Sequence, residues 1–190
     1  MNRRNGPYVR FKRVLDVALT LASTPLVLPL MAAAAVAIKI DTRGPVLFVQ
    51  ERMGRDGRIF RMYKLRTMVV NAEELKAATL DDPRITRVGR FLRKTSLDEL
   101  PQLWNVLRGD MSIVGPRPTS LTLVQYEPWH AARLAVRPGL TGPWQIDGRN
   151  QTTFDERVHM DIEYIENLSL LQDIKLIART VGVVVKGKGA

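Results

Sequence analysis

Apolar and polar positions alternate differently along the chain and divide it into segments of distinct kind. Between Asp16 and Lys39 there is no charged side chain, a run of roughly 20 residues that is long enough to enter a bilayer core. Pro25 and Pro29 lie inside it, with Ser23 and Thr24 just ahead of the first. Each proline removes a helical donor, so a helix here is expected to kink near Pro25, with the two hydroxyls bonding the freed carbonyls. Residues 45–50 and 59–65 are short, rich in β-branched and aromatic side chains, and separated by Gly54-Arg55-Asp56-Gly57, which predicts a β-hairpin. A short helix is predicted over 70–79, and a turn at Asp81-Asp82-Pro83-Arg84. Residues 154–167 predict a helix whose acids Asp155, Glu156, Asp161, Glu163 and Glu166 are mostly its solvated face. Ile174, Ile177, Ala178, Val181 and Val185 form an apolar stripe that either covers the core or lies on a membrane, with Lys186 and Lys188 at headgroup level.

The centre of the pattern is 94–104, where Leu97, Leu100, Trp104 and Leu107 recur at helical spacing behind two adjacent carboxylates, Asp98 and Glu99. Pro101 suits a first helical turn, so a start near Asp98 makes that residue the N-cap. Ser96-x-x-Glu99 also fits a capping box, but that start puts Pro101 deeper, where it would strip a helical hydrogen bond. Arg84, Arg87, Arg90, Arg93 and Lys94 precede the pair, and these cations are expected to depress both carboxylate pKa values. An ionised pair suits a hard cation.

Composition narrows the chemistry. At 190 residues the chain has room for one main domain, read as a basic N-terminus with its membrane helix over 1–40 and one domain over 41–190. A formal net charge of +10 favours an anionic partner. Cysteine is absent and the only histidines are His130 and His159, which leaves oxygen ligands for any metal and points to Mg²⁺. Arg3, Arg4, Arg10, Lys12 and Arg13 precede the apolar run, and Lys39, Arg43, Arg52, Arg55 and Arg58 follow it. Positive charge on both flanks puts both ends on the cytoplasmic side, as in a re-entrant helix and unlike a spanning one. The apolar region is too long for a signal peptide.

Candidate anion ligands come from three further places. Lys64 and Arg66 share one face of the second strand by period-two alternation and present paired cations to a diphosphate. Arg117 sits between Pro116 and Pro118, whose fixed backbone preorganises it. Arg137 opens a second Pro/Gly-bounded loop running to Trp144-Gln145, and Gly148-Arg149-Asn150 follows.

From about Phe11 to Ala190 these residues resemble the bacterial sugar transferases, monotopic phosphoglycosyl transferases acting on polyprenyl phosphate. The carriers are Lys12-Arg13-Val14-Leu15-Asp16, Gly44-Pro45-Val46, Gln50-Glu51-Arg52, Lys64-Leu65-Arg66-Thr67-Met68, Ser96 through Gln102, Val114 through Pro118 and Arg137 through Gly142. The resemblance implies an α+β, mainly helical fold with a re-entrant helix, one hairpin and amphipathic helices at the membrane interface. It also implies transfer of a sugar 1-phosphate from a UDP-sugar to polyprenyl (undecaprenyl) phosphate, release of UMP, and a requirement for Mg²⁺. Asp98 matches the nucleophile that takes the phosphosugar, and Glu99 its Mg²⁺-binding neighbour, with Asp98 a second candidate metal ligand. Lys64, Arg66, Arg93, Arg117, Arg137, Gln145 and Arg149 are the candidate substrate ligands, and Ser23, Pro25 and Pro29 the kink. The expected setting is the cytoplasmic face of the bacterial inner membrane, with inner-membrane lipid, downstream glycosyltransferases and a homodimeric second copy as partners, and no nucleic acid.

Two departures stand out. The family's helix usually breaks at adjacent Ser-Pro, whereas Thr24 intervenes here, and its Trp-Ala-Gln is replaced by Pro143-Trp144-Gln145. The chain reads as the catalytic unit alone, without the extra N-terminal helices of long members. A non-catalytic, membrane-anchored basic module for nucleic acid or anionic lipid explains the charge. It does not need Asp98-Glu99, which would repel phosphate.

Overall fold

The uncharged run folds into the long helix α1 (Pro7–Asp41) of the computed structural model, which describes residues 7–70, 82–119, 126–147 and 152–185. By length and composition α1 can cross a membrane, with a mean hydropathy of 2.0 over its most apolar window. It is unbroken through Pro25 and Pro29, so a change of direction there is not made by a non-helical break. The hydroxyls also behave differently from expectation. Ser23 Oγ and Thr24 Oγ1 donate to the carbonyl of Thr20, at 2.8 and 3.0 Å, because back-bonding over three or four residues reaches one turn down and not the carbonyl of Leu21 that Pro25 frees.

Both ends of α1 dock on the rest of the chain, and no residue of 21–33 between them is buried. At the N-terminal end Arg13 Nη2 donates to the carbonyl of Leu107 at 2.8 Å. Asp16 accepts from Ser112 Oγ at 2.7 Å and from the backbone N–H of Ile113 at 3.0 Å. Tyr8 and Lys12 both reach Asp173, which also accepts from the hydroxyl of Tyr164. At the C-terminal end Ala34 and Ile38 pack with Leu65 and Leu92, and Asp41 accepts from the N–H of Val88 at 3.0 Å.

The expected hairpin is present. Strands β1 (Leu47–Met53) and β2 (Ile59–Leu65) pair antiparallel, from Leu47 opposite Leu65 to Met53 opposite Ile59. The basic run forms α2 (Arg87–Lys94), capped by Thr86, whose hydroxyl accepts from the N–H of Gly89. Gly89 has to be glycine, since a Cβ there would lie 2.0 Å from the carbonyl oxygen of Thr67. That close approach seats α2 against the end of the hairpin. The helix predicted over 70–79 lies outside the described residues, except for Val70.

The central helix starts later than its apolar spacing suggests. Leu97–Glu99 form a 3-10 turn, and α3 spans Gln102–Arg108 behind Pro101. Asp98 is therefore not an N-cap, and Ser96 does not form the capping box, since neither Ser96 nor Pro101 makes a side-chain cap hydrogen bond. The buried face of α3 is Gln102, Asn105 and Val106, while Trp104 is 57% exposed. Asn105 belongs inside because its amide joins α3 to β2, accepting from the N–H of Tyr63 at 3.2 Å and donating to the carbonyl of Arg61 at 2.7 Å.

Two three-residue strands, unforeseen from the sequence, form a parallel pair. β3 (Ser112–Val114) lies beside β4 (Gly139–Thr141), with Ser112 opposite Gly139 and Val114 opposite Thr141. A Cβ on Gly139 would stand 2.1 Å from the backbone nitrogen of Gly115, so glycine lets the two Pro/Gly-bounded loops cross at backbone contact. A 3-10 segment (Pro128–Ala135), α4 (Pro143–Asp147), α5 (Phe154–Glu166) and α6 (Leu170–Val185) complete the fold. A capping box of Thr153 and Glu156 starts α5. Along α6 the core side is Asp173 and Leu176, whereas Ile174 and Val181 of the predicted stripe are exposed. The stripe is therefore split: Ile177 packs against the core cluster of Val114, Tyr164 and Leu176, while Ile174 and Val181 face outward. The architecture is mainly helical with a short antiparallel hairpin, as the residues imply.

Candidate active site

Two adjacent acids, a strand lysine and an arginine between prolines converge at the 3-10 turn. Ser96 enters it with φ of 57°, a left-handed conformation that is uncommon for a residue with a side chain. Lys64 from β2 donates to Glu99 Oε1 at 3.1 Å. Arg117 makes a two-pronged pair with the same carboxylate, its Nη1 lying 3.1 Å from Oε2 and its Nη2 bonding Oε1. Burial pushes the Glu99 carboxyl up, yet Arg117 and Lys64 outweigh it and hold the group well below the usual carboxylate range. Arg117 is buried against its own charge, but Glu99 keeps it firmly protonated.

Asp98 is treated in the opposite way. The residue is 8% exposed, and its carboxylate makes no hydrogen bond among the described residues. Burial and the neighbouring Glu99 push its pKa up to about 6, against the opposing pull of Lys64, Arg117 and Arg93. The expectation that the basic run depresses both carboxylates therefore fails for Asp98, because desolvation exceeds the attraction of cations bonded elsewhere. The result is a basic, unpartnered carboxylate beside a clamped, ionised one. A hard divalent cation would find one carboxylate without a donor at Asp98 and, at Glu99, oxygens that already accept from Lys64 and Arg117. Among the described residues no cluster of three acidic or histidine side chains surrounds the pair, so most of its shell would come from water and phosphate oxygens.

The other candidates separate. Arg93 stays close, its Nε donating to Thr67 Oγ1 at 2.9 Å while its charge acts on Asp98. Gln145 joins the Arg117 side through the carbonyl of Leu140, which lies 3.5 Å from both side chains. Arg66, by contrast, turns away from Lys64. Its guanidinium donates to the carbonyl of Arg43 at 2.8 Å and to the Thr42 carbonyl and hydroxyl at 3.1 and 3.0 Å, tying the hairpin to the end of α1. The pair does not form a diphosphate clamp in this structure. Arg137 donates to the carbonyl of Gly109 at 2.8 Å. Burial, then Arg13 and Arg55, lower its pKa, which places it in another cationic group at the foot of α1. Arg149 lies outside the described residues.

Arg52 of β1 feels the charge of the site. Burial and then the charge of Arg117 push its pKa down to about 10, while its Nη2 lies 2.5 Å from Gln50 Oε1 on the same strand. The motif Gln50-Glu51-Arg52 was a signal for it, with no role attached.

A family profile described as "Bacterial sugar transferase" matches residues 7–187. Among curated proteins, the galactosyl transferase CpsE of Streptococcus agalactiae is 46% identical over 94% of this chain and 43% of its own length. The undecaprenyl-phosphate galactose phosphotransferase of Salmonella typhimurium is 41% identical over 94% of this chain and 41% of its own length. The UDP-glucose:undecaprenyl-phosphate glucose-1-phosphate transferase of Caulobacter vibrioides is 46% identical over 94% of this chain and 73% of its own length. The chain thus spans less than half of the first two.

Proposed function

Since the chain belongs to the bacterial sugar transferase family, we propose that it moves a sugar 1-phosphate from a UDP-sugar to polyprenyl phosphate and releases UMP. The observation that carries this reading is the contrast between Asp98, buried and unpartnered, and Glu99, clamped by Lys64 and Arg117. With its pKa at about 6, Asp98 is mostly ionised at neutral pH and more basic than an ordinary carboxylate, which suits a nucleophile. An Asp98 oxygen attacks the sugar-side phosphorus, a P–O bond forms, and the bond to UMP breaks with its electrons leaving on UMP. Lys64, Arg117 and Arg52 offset the charge gathered there. The lipid phosphate then displaces Asp98 from phosphorus. Asp98 and Glu99 would hold Mg²⁺, which when bound neutralises diphosphate charge. UMP release, assayed over a panel of UDP-sugars with polyprenyl phosphate, tests the reading. Release with one or a few donors is expected, and none with any donor would overturn it.

The same reading puts the site on the cytoplasmic face of the inner membrane, where the lipid phosphate lies. Support comes from α1, whose two ends contact one folded unit, whereas a spanning helix separates its ends by a bilayer core about 30 Å thick. The bend of a re-entrant α1 belongs at Pro25 and Pro29, where amide donors are missing. Exposed Phe91, Trp104, Leu171, Ile174 and Val181 offer an apolar surface to lipid. The chain lacks cysteine, so single Arg10→Cys and Arg43→Cys variants report topology directly. Both should resist an impermeant thiol reagent in sealed cells, and labelling of only one would mean that α1 spans.

A further inference from the structure

Among the acids of α5, most of which the sequence pattern assigns to a solvated face, Asp161 is completely buried, at 0% exposure. Opposite it, Arg133 from the 3-10 segment is 2% exposed, with Nη2 2.5 Å from Asp161 Oδ2. The same Nη2 donates to the backbone carbonyl of Arg117 at 2.9 Å, and the guanidinium lies over the Phe154 ring at 5.6 Å. We propose that Arg133, oriented by Asp161, is a positioning residue that holds the backbone of Arg117 so that its guanidinium meets Glu99.

The chemistry of the loop makes this bond matter. Pro116 and Pro118 lack N–H groups, so Pro116-Arg117-Pro118 has few donors of its own with which to fix itself. It is held by its acceptors: the Pro116 carbonyl accepts from the N–H of Gly139 at 2.9 Å, and the Arg117 carbonyl accepts from Arg133. A two-pronged guanidinium–carboxylate contact tolerates only small displacements, and loss of either anchor moves the root of the side chain that makes it. Stability alone is a poor reason for the pair. A buried ion pair is often replaced by apolar residues at no cost, and burial pushes Asp161 up to about 6 even with Arg133 beside it. An apolar pair, however, offers no donor to Arg117.

This inference rests on the reading that Arg117 and Glu99 belong to the active site, and the test separates the two. In Arg133→Met/Asp161→Leu the ion pair gives way to apolar side chains of similar volume, so thermal stability should stay near the parent's. The kcat/KM for UMP release should nevertheless fall by about 10- to 100-fold, the scale of a small misplacement in a catalytic constellation. Arg117→Met alone should fall at least as far, and adding it to the swap should lower kcat/KM no further than Arg117→Met does, since both changes remove one function. A swap that retains activity within about twofold, or losses that multiply in the triple variant, would overturn the proposal. So would a swap that does not fold, because the pair would then serve the fold. The reading on which the inference rests is tested separately by Arg117→Met and Glu99→Gln alone, since near-parental activity in both would remove Arg117 and Glu99 from the active site whatever the swap does.

Discussion

Asp98→Asn should yield a protein that is more stable than the parent and transfers no sugar phosphate. The gain comes from removing a charge that the fold holds at a disadvantage. Burial and Glu99 raise the pKa of Asp98 from 3.8 to about 6. At about 1.4 kcal/mol per unit, ionised Asp98 costs on the order of 3 kcal/mol when no divalent cation is bound. Asparagine has the same shape and no charge, and because Asp98 caps no helix the local cost is confined to an amide N–H that lacks an acceptor, which offsets part of the gain. The sign follows from linkage: the cost is fully present above the folded value of about 6, falls as pH drops from there through 3.8, and is gone only well below 3.8, where Asp98 is protonated in both folded and unfolded chains. Chemical denaturation without metal, at neutral pH and well below the unfolded value of 3.8, checks it. Turnover should fall by at least about 10,000-fold, since an amide cannot replace a carboxylate nucleophile.

Glu99→Gln, one residue along, should do the opposite to stability. It leaves Lys64 and Arg117, whose side chains are each 21% exposed, without their counter-charge. Stranding two largely buried cations costs about 2 to 3 kcal/mol after allowance for solvent screening. The folded pKa of Glu99 is depressed, so its contribution is present above the unfolded value of 4.5 and is lost as pH falls below it. The stability differences of the two variants from the parent should therefore converge in acid from opposite sides. Activity should fall by about 100-fold or more in Glu99→Gln, together with its response to Mg²⁺. Equal shifts of one sign in both variants would mean that the two carboxylates share one environment.

The contrast between these neighbours was only half legible in the sequence. Asp98, Glu99, Lys64 and Arg117 stand out as charged groups at punctuated positions, and the structure brings Lys64 and Arg117 to Glu99. Sequence proximity to a basic run says nothing of where those cations point, so the raised pKa of Asp98 was invisible. Strand alternation placed Arg66 beside Lys64, but only the chain returning from α1 shows that Thr42 and Arg43 receive it. The hairpin and α1 were readable because local composition dictates them. The parallel pair β3–β4 was not, since three-residue strands have no periodicity and their partner is set by loop crossing at Gly139. Arg133 and Asp161 gave no signal either, because burial of a charge depends on the partner that the fold delivers.

The central claim is that Asp98 carries the phosphosugar between donor and lipid. Intact-protein mass measurement of the full chain, incubated with its UDP-sugar and Mg²⁺ but no lipid acceptor, tests it most directly. The parent should gain the mass of one sugar phosphate, peptide mapping should place it on Asp98, and polyprenyl phosphate should discharge it. Asp98→Asn should gain nothing. An increment on another residue, or near-parental turnover by Asp98→Asn, would contradict the account.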